Sequence, residues 1–337
     1  MRNFAPVQIQ TAMKNIAIVA GGDSSEYEVS LRSAQGISSF IDSARYHTTV
    51  VTIRGQRWQA ETPEGVFPID RNDFSYTDAH GRHTFDMAYI TIHGTPGENG
   101  ILQGYFDLIG LKYSCCGVLA AAVTFNKFTC NRYLQAFGAK IAKSVLLRKG
   151  QKYDAAAIVK ELGLPCFVKS NVGGSSFGVT KVKQESQMAA AVERAFQEGP
   201  EVIIESFLEG TELTSGMYKT RTKTVNFPLT EVVTSNEFFD YDAKYNGQVQ
   251  EITPARLSPE LTREIQRQTA LYYDVLGCKG IVRIDFIVTR DGVPHVLEVN
   301  TTPGMTATSF IPQQVRAAGI DIKEVMTDII ENELSED

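Results

Sequence analysis

Apolar and polar positions alternate along this chain with two different periods. The run Lys14-Asn15-Ile16-Ala17-Ile18-Val19-Ala20 is almost continuously apolar and is closed by Gly21-Gly22, as expected of a buried strand. Ser25-Glu26-Tyr27-Glu28 follows with capping-box spacing and predicts the start of a helix. Residues 87–93 form a second apolar strand that enters the loop His93-Gly94-Thr95-Pro96-Gly97-Glu98-Asn99-Gly100. Strand, glycine turn and helix in that order predict an open α/β sheet. The stretch 54–82 is polar and irregular, and no element is assigned to it.

Helical periodicity dominates 119–137. Short strands are expected at 144–147 and 166–169 with a helix between them, and 178–182 is expected to return as the hairpin partner of the second. Glu201-Val202-Ile203-Ile204-Glu205 reads as another buried strand. The last third holds strands, a long helix around 260–276, a hairpin and a terminal helix. Boundaries near Cys116 and just after Glu205 divide the chain into an N-terminal α/β domain at 1–116, a central part at 117–205 and a C-terminal part at 206–337. The fold class is α/β and α+β, in three blocks.

Length and charge narrow the functional classes. A chain of 337 residues suffices for two or three domains. A net charge of −6 with no Lys/Arg-rich block argues against nucleic acid as a partner. No apolar run approaches membrane-spanning length, and residues 1–12 lack the apolar core of a signal peptide, so a cytoplasmic protein is expected. Five cysteines without a CxxC suit reduced thiols.

The segment 281–300 carries the most chemistry. Val282, Ile284 and Phe286 alternate with Arg283 and Asp285, and Leu297 and Val299 alternate with Glu298 and Asn300. With Asp291-Gly292 as a two-residue turn, Asp285 falls opposite Glu298 and Arg283 opposite Asn300, all on one face. Facing carboxylates repel, and a divalent cation reverses that penalty. The oxygen donors suit Mg²⁺ or Mn²⁺ rather than zinc. The alternative is a solvated amphipathic hairpin. Ser170-Asn171-Val172-Gly173-Gly174-Ser175-Ser176-Phe177-Gly178 follows Lys169, whereas a P-loop places its lysine after the glycines. This arrangement reads as a hairpin lid over phosphates, or else as an ordinary glycine-rich hairpin. The glycine pair at 21–22 lacks GxGxxG, which removes a dinucleotide fold.

These segments, joined by Asn126-Lys127, Asp240-Tyr241-Asp242-Ala243-Lys244-Tyr245 and Glu298-Val299-Asn300-Thr301-Thr302-Pro303-Gly304-Met305-Thr306, occur in the order that resembles the D-alanine–D-alanine ligases. The resemblance covers about residues 14–333. It implies a three-domain ATP-grasp enzyme with an N-terminal open α/β domain, acting on D-alanine and ATP, with Mg²⁺ (or Mn²⁺) as two ions, in a homodimer. It carries Glu26 over as partner of the first substrate's ammonium, locked to the lid through Ser175 and Tyr245, with His93 nearby. Lys127 and Lys169 become phosphate ligands, Glu205 and Glu212 adenosine-side contacts, and Asp285, Glu298 and Asn300 metal ligands. Arg283 and the Gly304 backbone stabilise an oxyanion, while Lys244 and Ser309 hold the second substrate's carboxylate. Ser170 stands where the family usually has proline, a change that loosens the lid strand but removes no functional group. Related readings are a D-alanine–D-lactate or D-alanine–D-serine ligase, or a catalytically silent nucleotide-binding protein on the same fold. Lactate-type members carry a histidine in the lid segment 236–250, which here has none.

Overall fold

The computed structural model describes residues 13–174, 178–234 and 249–335. Three sheets follow one another along the chain. In the first, the strand Lys14–Gly21 lies between Tyr46–Arg54 and Met87–Ile90, all parallel, with Lys112–Tyr113 at the edge. Its alternate side chains serve two cores: Ile16, Ile18 and Ala20 face one, Ala17 and Val19 the other. The polar stretch left unassigned above is an antiparallel meander, Arg57–Thr62, Gly65–Asp70, Ser75–Asp78 and Gly81–His83, which widens this sheet to eight strands. Trp58 and Phe74 of this stretch, with Phe85 just after it, pack against Tyr105 and Phe106 of the helix Ile101–Ile109; so few aromatic residues scattered among polar ones leave neither period standing out in the sequence.

A four-stranded antiparallel sheet orders Ser144–Arg148, Glu201–Ser206, Cys166–Ser170 and Thr180–Val182. The third sheet has Gly210–Lys219 and Gly280–Thr289 at its centre, with Pro294–Asn300 and the short strand Lys140–Ile141 beside them. The helices Val118–Phe125 and Lys127–Gln135 pack on this third sheet through Ala120, Cys130 and Leu134. The last helix, Ile322–Leu334, crosses back to the first sheet, where Val325, Met326, Ile329 and Ile330 share a core with Ile16 and Ile18.

Two expectations about local structure change. The helix Tyr27–Phe40 begins directly after Glu26, which occupies the N-cap position without a capping side-chain bond among the described residues. Ser24, not Ser25, braces this turn: its hydroxyl accepts from the Glu26 N–H at 3.2 Å and donates to the His93 carbonyl at 2.7 Å. A side chain at Gly36 in the same helix would meet the Met305 carbonyl, so glycine is what lets the helix lie against the loop after Asn300. The hairpin that carries Asp285 and Glu298 also differs. Thr289 N–H donates to Val293 and Gly292 N–H to Thr289, with Gly292 at φ +79°, which makes the loop three residues, 290–292, and not two.

Candidate active site

The three-residue loop shifts the hairpin register by one. Phe286 pairs with Val296 and Ile287 with His295. A β-bulge between Asp285 and Phe286 then inserts Leu297 and shifts it back. Asp285 therefore does face Glu298, and Arg283 faces Asn300. Two deviations from an ideal hairpin cancel at the site.

The facing carboxylates each have a protein cation. Arg283 donates to both Asp285 oxygens at 2.9 and 2.8 Å, and Asn300 Nδ2 to Asp285 Oδ2 at 3.1 Å. Lys127 Nζ lies 3.4 Å from Glu298. Burial pulls the Arg283 guanidinium down, but the carboxylates of Asp285, Glu298 and Glu98 outweigh it and raise its pKa. Among the described residues no three His, Cys, Asp or Glu side chains gather around a metal. Asp285, Glu298 and the Asn300 amide oxygen instead form a mixed oxygen set of the hard-donor kind that Mg²⁺ takes together with phosphate oxygens.

Lys127 opens its helix behind the N-cap Asn126, whose Oδ1 accepts from Thr129 N–H at 2.9 Å. The Asn126 and Asn171 amides both donate to Glu201 Oε2, at 3.1 and 2.7 Å, and Asn171 Oδ1 accepts from Phe128 N–H. This hub fixes Lys127 against the glycine-rich loop, where its ammonium donates to the Gly173 carbonyl at 2.5 Å. Lys169 sits 2.6 Å from Glu205 on the neighbouring strand. Burial lowers the Lys169 pKa, but Glu205, Glu298 and Glu212 together raise it above the usual value. Ser170, in the place where the family usually has proline, ends the strand Cys166–Ser170. It is buried, and its hydroxyl donates to the Val172 carbonyl at 2.6 Å.

Two adjoining cavities contain the rest. One of about 480 Å³ is lined by Lys169, Glu205, Glu212, Phe207, Leu208 and Ile287. The other, about 440 Å³, holds Glu26, His93, Asn300, Gly304 and Ser309. Lys127, Arg283, Glu298 and the Gly173-Gly174 pair line both. Glu26 is buried, and a Cβ on Gly174 would fall 2.6 Å from its Oε2, so the lid backbone lies directly on this carboxylate. His93 Nε2 is 3.2 Å from Ser33 Oγ. Ser309 stands at the N-terminus of the helix Phe310–Ala317, and its hydroxyl accepts from Thr306 N–H at 3.1 Å. Ser175, Lys244 and Tyr245 lie outside the described residues.

Residues not singled out in the sequence also belong here. Glu98 lines the second cavity, and its carboxylate accepts from Gly94 N–H at 2.7 Å, closing the loop that carries His93. Burial pushes the Glu98 carboxyl up. The Phe310 ring lies under the Arg283 guanidinium at 5.3 Å. Glu98 falls inside a quoted motif and was readable as polar. Phe310, and the meeting of Asn126 and Asn171 on Glu201, come only from tertiary structure.

Comparison with known proteins agrees over nearly the whole length. The family models for the D-ala D-ala ligase N-terminus and C-terminus match residues 15–116 and 133–331. A D-alanine–D-alanine ligase of Bacteroides fragilis (strain YCH46) is 64% identical over 320 residues, spanning 95% of this chain and 99% of its own. One from Porphyromonas gingivalis (strain ATCC BAA-308 / W83) is 53% identical over 323 residues, spanning 95% and 98%. Among solved structures, D-alanyl-alanine synthetase A from Vibrio cholerae superposes with a TM-score of 0.86 at 28% identity, covering 96% of this chain and 98% of its own. A D-Ala:D-Ser ligase from Enterococcus faecalis gives 0.82 at 30%, covering 94% and 98%. D-alanine–D-alanine ligase from Bacillus anthracis complexed with ATP gives 0.76 at 26%, covering 95% and 97%.

Proposed function

The chain belongs to the D-alanine–D-alanine ligase family, and from that premise we propose how its two cavities divide the reaction. The protein is an ADP-forming ligase that joins two D-alanines into D-alanyl-D-alanine for peptidoglycan synthesis. ATP takes the larger cavity, with its adenosine toward Glu205 and Glu212 and its phosphates at Lys127 and Lys169. The first D-alanine takes the smaller cavity, its ammonium at Glu26 and its carboxylate turned toward the corner that both cavities share. There a carboxylate oxygen attacks the γ-phosphorus, ADP leaves, and D-alanyl phosphate results. Lys244 and Ser309 hold the second D-alanine by its carboxylate. Its deprotonated amine attacks the acyl carbon, and the charge that develops on the carbonyl oxygen meets the Arg283 guanidinium and the Gly304 N–H. Collapse expels phosphate. Ser175 and Tyr245 tie Glu26 to the lid. Asp285, Glu298 and Asn300 would hold Mg²⁺ or Mn²⁺, which supplies positive charge to the phosphate oxygens when bound.

The observation that carries this reading is the shared corner: Lys127, Arg283 and Glu298 line both cavities, so a phosphate in one reaches a carboxylate in the other. The test is product analysis with Mg·ATP and equal D-alanine and D-lactate. Residues 236–250 contain Lys244 and Tyr245 but no histidine. A histidine could become cationic and disfavour an incoming ammonium, whereas a phenol stays neutral below about pH 10. Dipeptide should therefore dominate, and its yield should rise from about pH 6 to about pH 9 as the amine loses its proton more easily. Dominant depsipeptide near neutral pH would overturn the choice of nucleophile.

A further inference from the structure

We infer that Asn131 is a positioning residue, which holds the bulge that turns Glu298 and Asn300 onto the face of Asp285. From its loop the hairpin runs Val288 opposite Pro294, Ile287 opposite His295 and Phe286 opposite Val296. Continued without interruption, that register would set Asp285 against Leu297 and Ile284 against Glu298. Glu298 would then leave the face that carries Asp285, because a one-residue slip reverses every side chain. The extra residue Leu297 prevents this. A bulged residue loses its place in the ladder, and its backbone groups need partners elsewhere. The Leu297 carbonyl finds one in Asn131 Nδ2, at 3.3 Å.

Asn131 is 4% exposed and sits on the helix Lys127–Gln135, one turn beyond Lys127. Residues four apart share a helix face. The same face thus meets two successive residues of the strand: Lys127 pairs with Glu298 at 3.4 Å, and Asn131 with Leu297. Asparagine is a poor choice for this place on general grounds. It is a weak helix former, and the Asn131 Oδ1 meets no donor among the described residues. Its neighbours Cys130 and Leu134 pack in the apolar core against the same strand, where an apolar residue would be simpler. Asn131 lines neither cavity. What the amide supplies is a donor to the bulge, and through it the direction of Glu298.

This inference rests on the assignment of Glu298 to the cation and phosphate site, so Glu298→Gln serves as the reference variant. Asn131→Leu and Asn131→Ala remove the donor, and Asn131→Gln keeps an amide on the same face. The readouts are Mg·ATP binding by calorimetry, the Mg²⁺ concentration for half-maximal turnover, the D-alanine KM and the melting temperature. Without the donor, the Mg·ATP Kd and the half-saturating Mg²⁺ should both rise about tenfold, as for loss of a partner that orients a metal ligand. The D-alanine KM should stay within about twofold, because ground-state binding of that substrate is untouched. Asn131→Leu should melt no lower than the parent, Asn131→Gln should recover most of the Mg·ATP affinity, and the Leu297 and Glu298 amides should exchange deuterium faster in the leucine variant. If the leucine variant does not fold, the alanine variant is judged by the same split of constants. An unchanged Mg²⁺ requirement in Glu298→Gln would overturn the site assignment itself. A shift in Glu298→Gln with none in the donorless variants would overturn the role of Asn131, as would a uniform loss of all constants together with a lower melting temperature.

Discussion

Gly174 and Lys169 show how single positions bear on the site. A methyl group at 174 would lie 2.6 Å from Glu26 Oε2, nearer than non-bonded atoms tolerate, so either the lid backbone or the carboxylate must move. Gly174→Ala should raise the KM for D-alanine by about tenfold, roughly the 1.4 kcal/mol expected for a displaced charged contact. Steady-state kinetics decide this, and an unchanged KM would mean that Glu26 does not bind the substrate where the lid covers it. Lys169 titrates in the opposite sense from a catalytic lysine. Burial lowers its pKa, yet Glu205, Glu298 and Glu212 raise it further than burial lowers it. A lysine held above its unfolded value contributes in full below about pH 10.4, and that contribution is lost only as pH climbs through the raised folded value. Lys169 should therefore stay cationic from about pH 6 to pH 9, and ATP affinity should show no loss over that range that disappears in Lys169→Met. Titration calorimetry at several pH values checks this. A fall centred near pH 8 in the parent and absent from the variant would contradict it.

At the scale of elements, the cap of the helix Lys127–Gln135 has a double duty. Asn126 satisfies a backbone N–H and also anchors to Glu201 of the neighbouring sheet. Asn126→Ala should cost about 0.5–2 kcal/mol of stability, the range for losing an N-cap. It should also raise the ATP KM, since Lys127 follows directly. Urea unfolding and kinetics together test this, and lost stability with an unaltered KM would separate the cap from the site. Much of this element structure was readable beforehand. The run 16–20 and the strand around Ile204 follow from continuous apolarity, the strands around Leu147 and Val168 from short apolar stretches, and the facing of Asp285 with Glu298 from period-two patterning. The facing was reached through a turn of the wrong length, and an unforeseen bulge made up the difference. Neither is visible locally, because the bulge depends on a partner at Asn131 far away in sequence. The meander between Arg57 and His83 escaped for another reason: its edge position leaves most residues solvated, so apolar alternation is diluted. The capping box at Ser25 misplaced the start of its helix by ranking a local motif above the packing of Ser24 on the His93 loop.

At the scale of the molecule, the larger cavity takes its walls from two sheets, with Phe167, Lys169 and Glu205 on one and Glu212, Asp285 and Ile287 on the other. ATP bound there, as proposed, would stabilise their association and not only the local strands. At about 100 times its Kd, ATP should add about 2.7 kcal/mol to unfolding. Chemical denaturation with and without Mg·ATP measures it, and no shift under saturating nucleotide would place the binding site elsewhere. The helix Ile322–Leu334 has a different kind of consequence. It covers the face of the first sheet, so Ile16 and Ile18 find their apolar neighbours in Val325, Met326 and Ile329, and Tyr46 meets Glu331 at 2.5 Å. Synthesis proceeds from the other end at about 5–20 residues per second. The first strand leaves the ribosome tens of seconds, in order of magnitude, before the helix that shields it. For that interval the face is closed only in part, by Ala34 and Ile37 of the helix Tyr27–Phe40 and later by Tyr218, Phe227 and Ile311, and the places that Val325, Met326, Ile329 and Ile330 fill stay open. Completion of this core therefore waits on the most distant pair of elements in the sequence.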